Sequence, residues 1–337
     1  MFNPFSAKGT KHVTDLKLDS LGPGLHKLLL PMAHDGLGRE LILPILVLKG
    51  KKSGPCLGIT AAIHGNEING IPVIHQLIHR MDEEKLRGTV VALPVVNIPG
   101  FLARQRTFED DQDLNRIMPG KATGNNAEVF AHRFFHKVVT KFDYLVDLHT
   151  ASTGRINSLY VRADLSHSIA HRMAVLQRPQ IILHNKATDR SLRGYAMTKG
   201  IPSITVEIGD PHLFQPKMIA RALVGIRALM GELKMIPKSK IAIKEIPIMC
   251  KSSAWIYTDR GGILRVKPEP ADFVEKNSVI ATLHNLFGGL IHEYRAPHDG
   301  VVIGKSVDPV ASTGSRILHL GVLTKDPQAC MIDGICE

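Results

Sequence analysis

A chain of 337 residues with 44% apolar side chains exceeds the size that one hydrophobic core usually supports, so one large domain and one smaller one are expected. Its four cysteines, Cys56, Cys250, Cys330 and Cys336, form no CxxC pair, which argues against a disulfide framework or a cysteine zinc site and for reduced thiols in a cytoplasmic protein. The net charge of +11 is thinly spread, and its densest cluster, Lys234, Lys238, Lys240 and Lys244, lies in a Pro-containing stretch with no nucleic-acid module beside it; attraction of small carboxylates fits better than nucleic-acid binding.

Residues 1–37 form a poorly defined N-terminal segment. Met1 to Asp15 lacks the apolar core of a signal peptide, and no stretch approaches the roughly 20 apolar residues of a membrane span, so a soluble protein without a membrane partner is expected. Strands are predicted at 41–48 (LILPILVL) and 56–63 (CLGITAAI), the second running straight into His64-Gly65-Asn66-Glu67. A helix over 68–81 follows, with Ile71, Ile74, Leu77 and Ile78 spaced for one buried face, and then a strand at 89–96. Residues 98–125 show no period, and so long a loop in a compact domain is usually functional.

The pattern continues with a helix over 127–142, the strand YLVDLH, a helix over 166–177, strand-like residues at 181–183, the strand SITVEI ending near Glu207, and a helix over 216–233. Such alternation predicts an α/β domain, a sheet with helices on both faces, with ligands gathering at the carboxyl ends of its strands. Beyond residue 238 only short alternating segments punctuated by Gly and Pro remain. We therefore read 1–239 as the catalytic domain and 240–337 as a separate β domain.

Three places at strand ends carry chemistry. His64 and Glu67, three apart at a strand-to-helix junction, can turn toward one point, and His149 ends another strand two residues after Asp147. Residues two apart on a strand share a face, so Asp147 can hold the far nitrogen of His149 while His149 binds a metal. Catalytic zinc takes three ligands from histidine and carboxylate and needs a further group to move a proton. Glu207, a charge in an otherwise apolar strand, is the candidate base. The loop from Ala103 to Arg116 offers Arg106, Asn115 and Arg116 for a substrate carboxylate or a developing oxyanion. Its acidic residues Glu109, Asp110, Asp111 and Asp113 lack the spacing of a calcium loop. The pairs His75/His79 and His132/His136 read as ordinary helix positions.

The motifs HGNE at 64–67, DLNR at 113–116 followed by Pro119-Gly120, DLHT at 147–150 and GIPSITVEIG at 200–209 resemble the succinylglutamate desuccinylase/aspartoacylase family of the zinc carboxypeptidase superfamily. The resemblance implies a mixed central sheet of zinc carboxypeptidase type. It further implies one zinc ion held by His64, Glu67 and His149, Glu207 as base and then acid, Arg116 polarising an amide carbonyl, and Asn115 on a substrate carboxylate with Arg106 as helper. Tyr294 is a candidate for the tyrosine that aspartoacylases supply from their C-terminal region. The segment EYRAPHDGVVIGK is similar to biotinyl and lipoyl-type domains but shows no carrier lysine, so this region is expected to cap the active-site mouth or build a homo-oligomer contact.

The expected activity is zinc-dependent hydrolysis of a small N-acylated amino acid or related carboxylate. Its rivals are carboxypeptidase action on short peptides and a non-catalytic binding protein that kept the fold.

Overall fold

In the computed structural model, which describes residues 9–186, 189–238 and 246–324, strands and helices alternate along the chain. The first half contains β1 (Thr10–His12), β2 (Gly24–His34), β3 (Glu40–Lys49), β4 (Lys52–Ala61), α1 (Gly70–His79), β5 (Arg87–Leu93), α2 (Ile98–Ala103), α3 (Asn126–Lys137) and β6 (Tyr144–His149). Then come β7 (Arg155–Asn157), β8 (Leu159–Ala163), α4 (Ser168–Leu176), β9 (Ile181–His184), α5 (Leu192–Thr198), β10 (Ser203–Ile208) and α6 (Pro216–Glu232). The C-terminal part is all strand: β11 (Ile248–Tyr257), β12 (Gly262–Val266), β13 (Phe273–Val274), β14 (Val279–His284), β15 (Leu290–Arg295), β16 (Gly300–Ser306), β17 (Val310–Ala311) and β18 (Arg316–Leu323).

The central sheet is mixed. Its order is β1-β2-β3-β5-β4-β6-β10-β8-β9-β11-β18-β16-β13, with β7 pairing to β16, while β15-β14-β12-β17 form a separate antiparallel sheet. Strands β4, β6 and β10 run parallel at its centre, so their carboxyl ends share one edge. β11 joins the sheet through a parallel pairing with β9 and an antiparallel one with β18, which carries the sheet from the α/β part into the C-terminal strands. The expected domain boundary at 239/240 lies outside the described residues, as do Lys240, Lys244, Cys330 and Cys336.

Helices cover both faces, as the alternating pattern requires. On one face α1, α4 and α6 pack against Ile59, Ala61, Val146, Leu148, Ile204, Val206 and Ile208. On the other, α3 and α5 pack against Val91, Leu93 and Leu145. Since side chains alternate along a strand, burial of Val146 and Leu148 under the first helix layer turns Asp147 and His149 to the second. Burial of Val206 and Ile208 does the same for Glu207. The site therefore opens on the α3/α5 face.

Several boundaries differ from the sequence expectation for local reasons. The strand expected to reach Val96 stops at Leu93, because Pro94 has no N–H to continue the ladder. β4 stops at Ala61, and Ala62 adopts a positive φ of 49° that turns the chain toward His64. The helix expected to reach Phe142 ends at Lys137, where the β-branched run Val138-Val139-Thr140 passes into a 3-10 turn. Residues 98–125 include α2, capped by the Asn97 side chain accepting from Gly100 N–H at 2.9 Å. The N-terminal segment contributes β2, paired along its length with β3. Among the described residues no helix is long and apolar enough to cross a membrane.

Candidate metal centre and active-site cleft

His64, Glu67 and His149, all buried, place one ligand atom each within 4.8 Å of one another. His64 and Glu67 come from the turn after β4, and His149 from the end of β6. The turn can lie where it does because residue 65 is glycine: a Cβ there would stand 1.9 Å from the carbonyl carbon of Gly100 in α2. Glu67 occupies the middle. Its Oε1 lies 3.0 Å from His64 Nδ1 and its Oε2 lies 2.9 Å from His149 Nδ1.

Each histidine is held from behind by a carboxylate. His149 Nε2 lies 2.7 Å from Asp147 Oδ2, and the other Asp147 oxygen accepts from the Thr60 hydroxyl at 2.6 Å. His64 Nε2 lies 3.0 Å from Asp113 Oδ1. In both pairs the carboxylate orients the ring and leaves Nδ1 for the centre, the arrangement found behind metal-binding histidines. Asp147 lies fully buried behind His149. Asp113 does the matching work for His64; the sequence placed it in an acidic cluster and at the head of the DLNR motif but gave it no role at the site.

The donor set fits a divalent cation on two observations. His64 Nδ1 is buried and has no hydrogen-bond partner, since its approach to Glu67 is misaligned. Burial alone would lower the His149 pKa, but Asp147 and Glu67 more than offset it and hold the value well above the ordinary one. A field of that sign stabilises positive charge at this point, and two imidazoles with one carboxylate are a donor set that zinc accepts.

Glu207 lies beside this cluster. In the sheet it pairs with His149 on one side and Tyr160 on the other, while one row back Thr205 pairs with Asp147 and Arg162. The Tyr160 hydroxyl donates to Glu207 Oε1 at 3.3 Å, and Arg162 donates to that phenol oxygen from Nε at 3.0 Å and Nη2 at 2.6 Å. Asn157 Nδ2 stands 3.5 Å from Glu207 Oε2. Burial raises the Glu207 pKa and the Glu67 charge adds to it, while Arg162 and His149 oppose the rise. β7 and β8, with Tyr160, Arg162 and Asn157, were not expected; the alternation of SLYVRA was the available signal.

The arginines of the loop are engaged differently from one another. Arg106 donates to Glu67 Oε1 at 2.9 Å, to Asp113 Oδ2 from Nε at 3.0 Å and Nη2 at 2.9 Å, and to Ser152 Oγ at 2.6 Å. It thus braces Glu67 and Asp113 together. Arg116 only approaches Asp113, at 3.3 Å, and 73% of its side chain remains exposed. The Asn115 side-chain oxygen accepts from Leu192 N–H at 2.7 Å, which fixes the residue against the start of α5. Tyr294 is elsewhere, in the core of the four-stranded sheet, donating to Asp259 at 2.8 Å.

These residues line a cleft of about 1030 Å³. Its wall also carries Arg155, Arg162, Arg190, Arg193, Arg316 and Trp255, so guanidinium groups outnumber the carboxylates Glu67, Asp111, Asp113, Asp189 and Glu207. The excess is felt at His319, stacked on Trp255 with ring centroids 4.9 Å apart: burial first, then Arg162, Arg155 and Arg316, push its pKa down to about 3 and keep it neutral.

A sequence model of the succinylglutamate desuccinylase/aspartoacylase catalytic domain matches residues 53–233. The N-alpha-acetyl-L-2,4-diaminobutyric acid deacetylase of Halomonas elongata is 26% identical over 323 residues, covering 90% of this chain and 92% of that protein. Among solved structures, a succinylglutamate desuccinylase/aspartoacylase from Rhodobacter sphaeroides superposes with a TM-score of 0.82 at 20% identity, covering 93% of this chain and 99% of that one. The product-bound ectoine utilization protein EutE of Ruegeria pomeroyi superposes with a TM-score of 0.81 at 21% identity, covering 89% and 96%.

Proposed function

The chain belongs to the succinylglutamate desuccinylase/aspartoacylase family, and from that premise we propose that it is a zinc-dependent deacylase cleaving the amide bond of a small N-acylated amino acid. The observation that carries this reading is the sheet row that sets Glu207 directly beside His149, at the edge of the three-residue donor cluster. The deacetylase name of the Halomonas elongata relative supports the same class of substrate.

In this reading His64, Glu67 and His149 hold one zinc ion, with Asp113 and Asp147 orienting the two rings. Zinc bound there supplies a Lewis acid that acidifies water and polarises an acyl carbonyl. Glu207 accepts the proton of the attacking water on a carboxylate oxygen and returns it to the departing amine nitrogen as the C–N bond breaks and the C–O bond forms. Its raised pKa suits both halves of that transfer, and Tyr160, backed by Arg162, holds the carboxylate in place. Arg116, the exposed loop guanidinium, stabilises the negative charge that grows on the carbonyl oxygen. The amide nitrogen of Asn115 donates to a substrate carboxylate, its oxygen being committed to Leu192. Arg106 contributes less to the substrate than to the cluster: it holds Glu67 directly and through Ser152, and it holds Asp113 behind His64.

Glu207→Gln tests the assignment. The variant is expected to retain zinc at the wild-type ratio, by elemental analysis, while turnover of N-acetyl and N-succinyl amino acids falls by about 10²–10⁴-fold, the contribution of a general base. Turnover within a few-fold of wild type would remove Glu207 from the mechanism.

A further inference from the structure

Asp210, just past the end of β10, is a half-buried carboxylate whose printed partners are all neutral. Its Oδ1 accepts from the Asn157 backbone N–H at 3.3 Å and its Oδ2 from Gln215 Nε2 at 2.9 Å. Burial raises its pKa against both of those bonds. A carboxylate kept in such a place without a cation is costly, so its surroundings are the clue to its use.

Gln215 occupies the N-cap position of α6 yet gives that helix no side-chain cap bond. Its amide is committed to the loop instead. Oε1 accepts from Asp210 N–H at 2.7 Å and from Asn69 Nδ2 at 3.0 Å, and the Gln215 backbone N–H donates to Asn69 Oδ1 at 3.0 Å. Asn69, fully buried two residues after Glu67, donates as well to the Ile208 carbonyl at 2.8 Å. Gly209, the last residue of GIPSITVEIG, leaves room for this: its φ is 68°, and a Cβ there would stand 2.1 Å from Gln215 Oε1. Two backbone bonds complete the contact, from Ala151 N–H to the Gly209 carbonyl at 2.8 Å and from His212 N–H to the Asn66 carbonyl at 3.0 Å.

Residues 209–215 thus fasten together three segments that leave neighbouring strand ends: the turn carrying His64 and Glu67, the stretch after His149, and the strand of Glu207 itself. From that clasp Asp210 reaches the backbone of Asn157, whose side-chain Nδ2 stands 3.5 Å from Glu207 Oε2. Tyr160 holds the other oxygen, Oε1.

We infer that Asp210, set by Gln215 and Asn69, is a positioning residue that holds the Asn157 amide against Glu207 Oε2 and so ties the base to the turn bearing His64 and Glu67. This deepens the deacylase reading and rests on it for the role of Glu207.

The experiment exchanges donor and acceptor across the 210–215 bond. Asp210→Asn alone sets one amide N–H against another, Gln215→Glu alone sets carboxylate against carboxylate, and the two together restore a donor facing an acceptor at the original net charge. Each single variant is expected to lower kcat on N-acetyl amino acids by about tenfold, with KM within about twofold and zinc content unchanged, because a displaced base is felt in the transition state. The double variant is expected to recover kcat to within about threefold of wild type, the mark of a coupled pair. Hydrogen exchange of the Asn157 amide, read by mass spectrometry of the peptides that cover it, is expected to quicken in each single variant and to return in the double. This second readout needs no turnover: if wild type cleaves no N-acyl amino acid, the deacylase reading falls and exchange alone judges the clasp. A double variant no better than the singles overturns the clasp. Exchange that quickens while kcat stays at the wild-type value overturns the role of Asp210 toward Glu207.

Discussion

His149 and His64 face the same carboxylate with the same ring nitrogen, yet they are held by unlike scaffolding. The His149 half lies on one central strand: Asp147 precedes it by two residues in β6, and Thr60 of the neighbouring strand β4 holds Asp147 in turn, all fully buried or nearly so. The His64 half crosses the chain. Its support, Asp113, stands at the entrance to a 3-10 turn in the loop, and is kept there by Arg106 and by its own bond to Asn115 N–H. Strand geometry preorganises the first half without further help, whereas the second depends on how a loop is pinned. The same chemistry therefore rests on supports of different rigidity.

Glu67 joins the halves, and removing it gives the largest expected effect. It touches His64, His149 and Arg106 and accepts from Thr150 N–H at 3.2 Å. Glu67→Ala is expected to lower zinc affinity by more than the 10–100-fold typical of losing a supporting residue, and to abolish turnover with it. Zinc titration against a competing chelator reads the first and an N-acyl amino acid assay the second. A variant that binds zinc as tightly as wild type would show that the two histidines do not share a site through Glu67.

The next test sets the halves against each other. Asp147→Asn removes a fully buried charge whose partners are His149 and Thr60, and is expected to weaken zinc binding by about 100-fold; Asp113→Asn, on the loop and with Arg106 still anchored on Glu67, by about 10-fold. The same chelator titration reads both. Equal losses would mean that the loop is as rigid as the strand, and a larger loss at Asp113 would reverse the comparison.

The two halves also differ in how far they could be read from the sequence. Asp147, His149 and Glu207 obey a period of two on apolar strands, so their shared face follows from the pattern alone. His64 and Glu67 follow from the abrupt end of a strand. Asp113 obeys no period: one acidic residue among four in an aperiodic loop, it is selected by the path the chain takes between α2 and α3 and not by its neighbours. Arg155, Trp255 and Arg316 were hidden for a related reason. They come from β7, β11 and β18, and only the pairing of β7 with β16, and of β11 with β9 and β18, brings them to the cleft. The α/β alternation was legible in outline and the mixed sheet only through the family resemblance, but sequence local to these strands says nothing of which sheet receives them.

Asn97 offers the finest probe of the loop half, since it touches neither histidine nor their supports. Fully buried at the start of α2, it accepts from Gly100 N–H at 2.9 Å and donates to the carbonyls of Thr107 at 3.1 Å and Arg106 at 3.4 Å. The amide thus fastens the backbone from which the Arg106 side chain reaches Glu67 and Asp113. Asn97→Ala strips a helix cap and leaves two half-buried carbonyls short of a donor, at a cost of about 1–3 kcal/mol in unfolding free energy by urea titration. Its effect on zinc affinity is expected in the same direction as Asp113→Asn but smaller, because Arg106 can re-form its bonds from a looser backbone. Full stability together with unchanged zinc affinity would place the pinning of the loop elsewhere, on Asp113 and Arg106 alone.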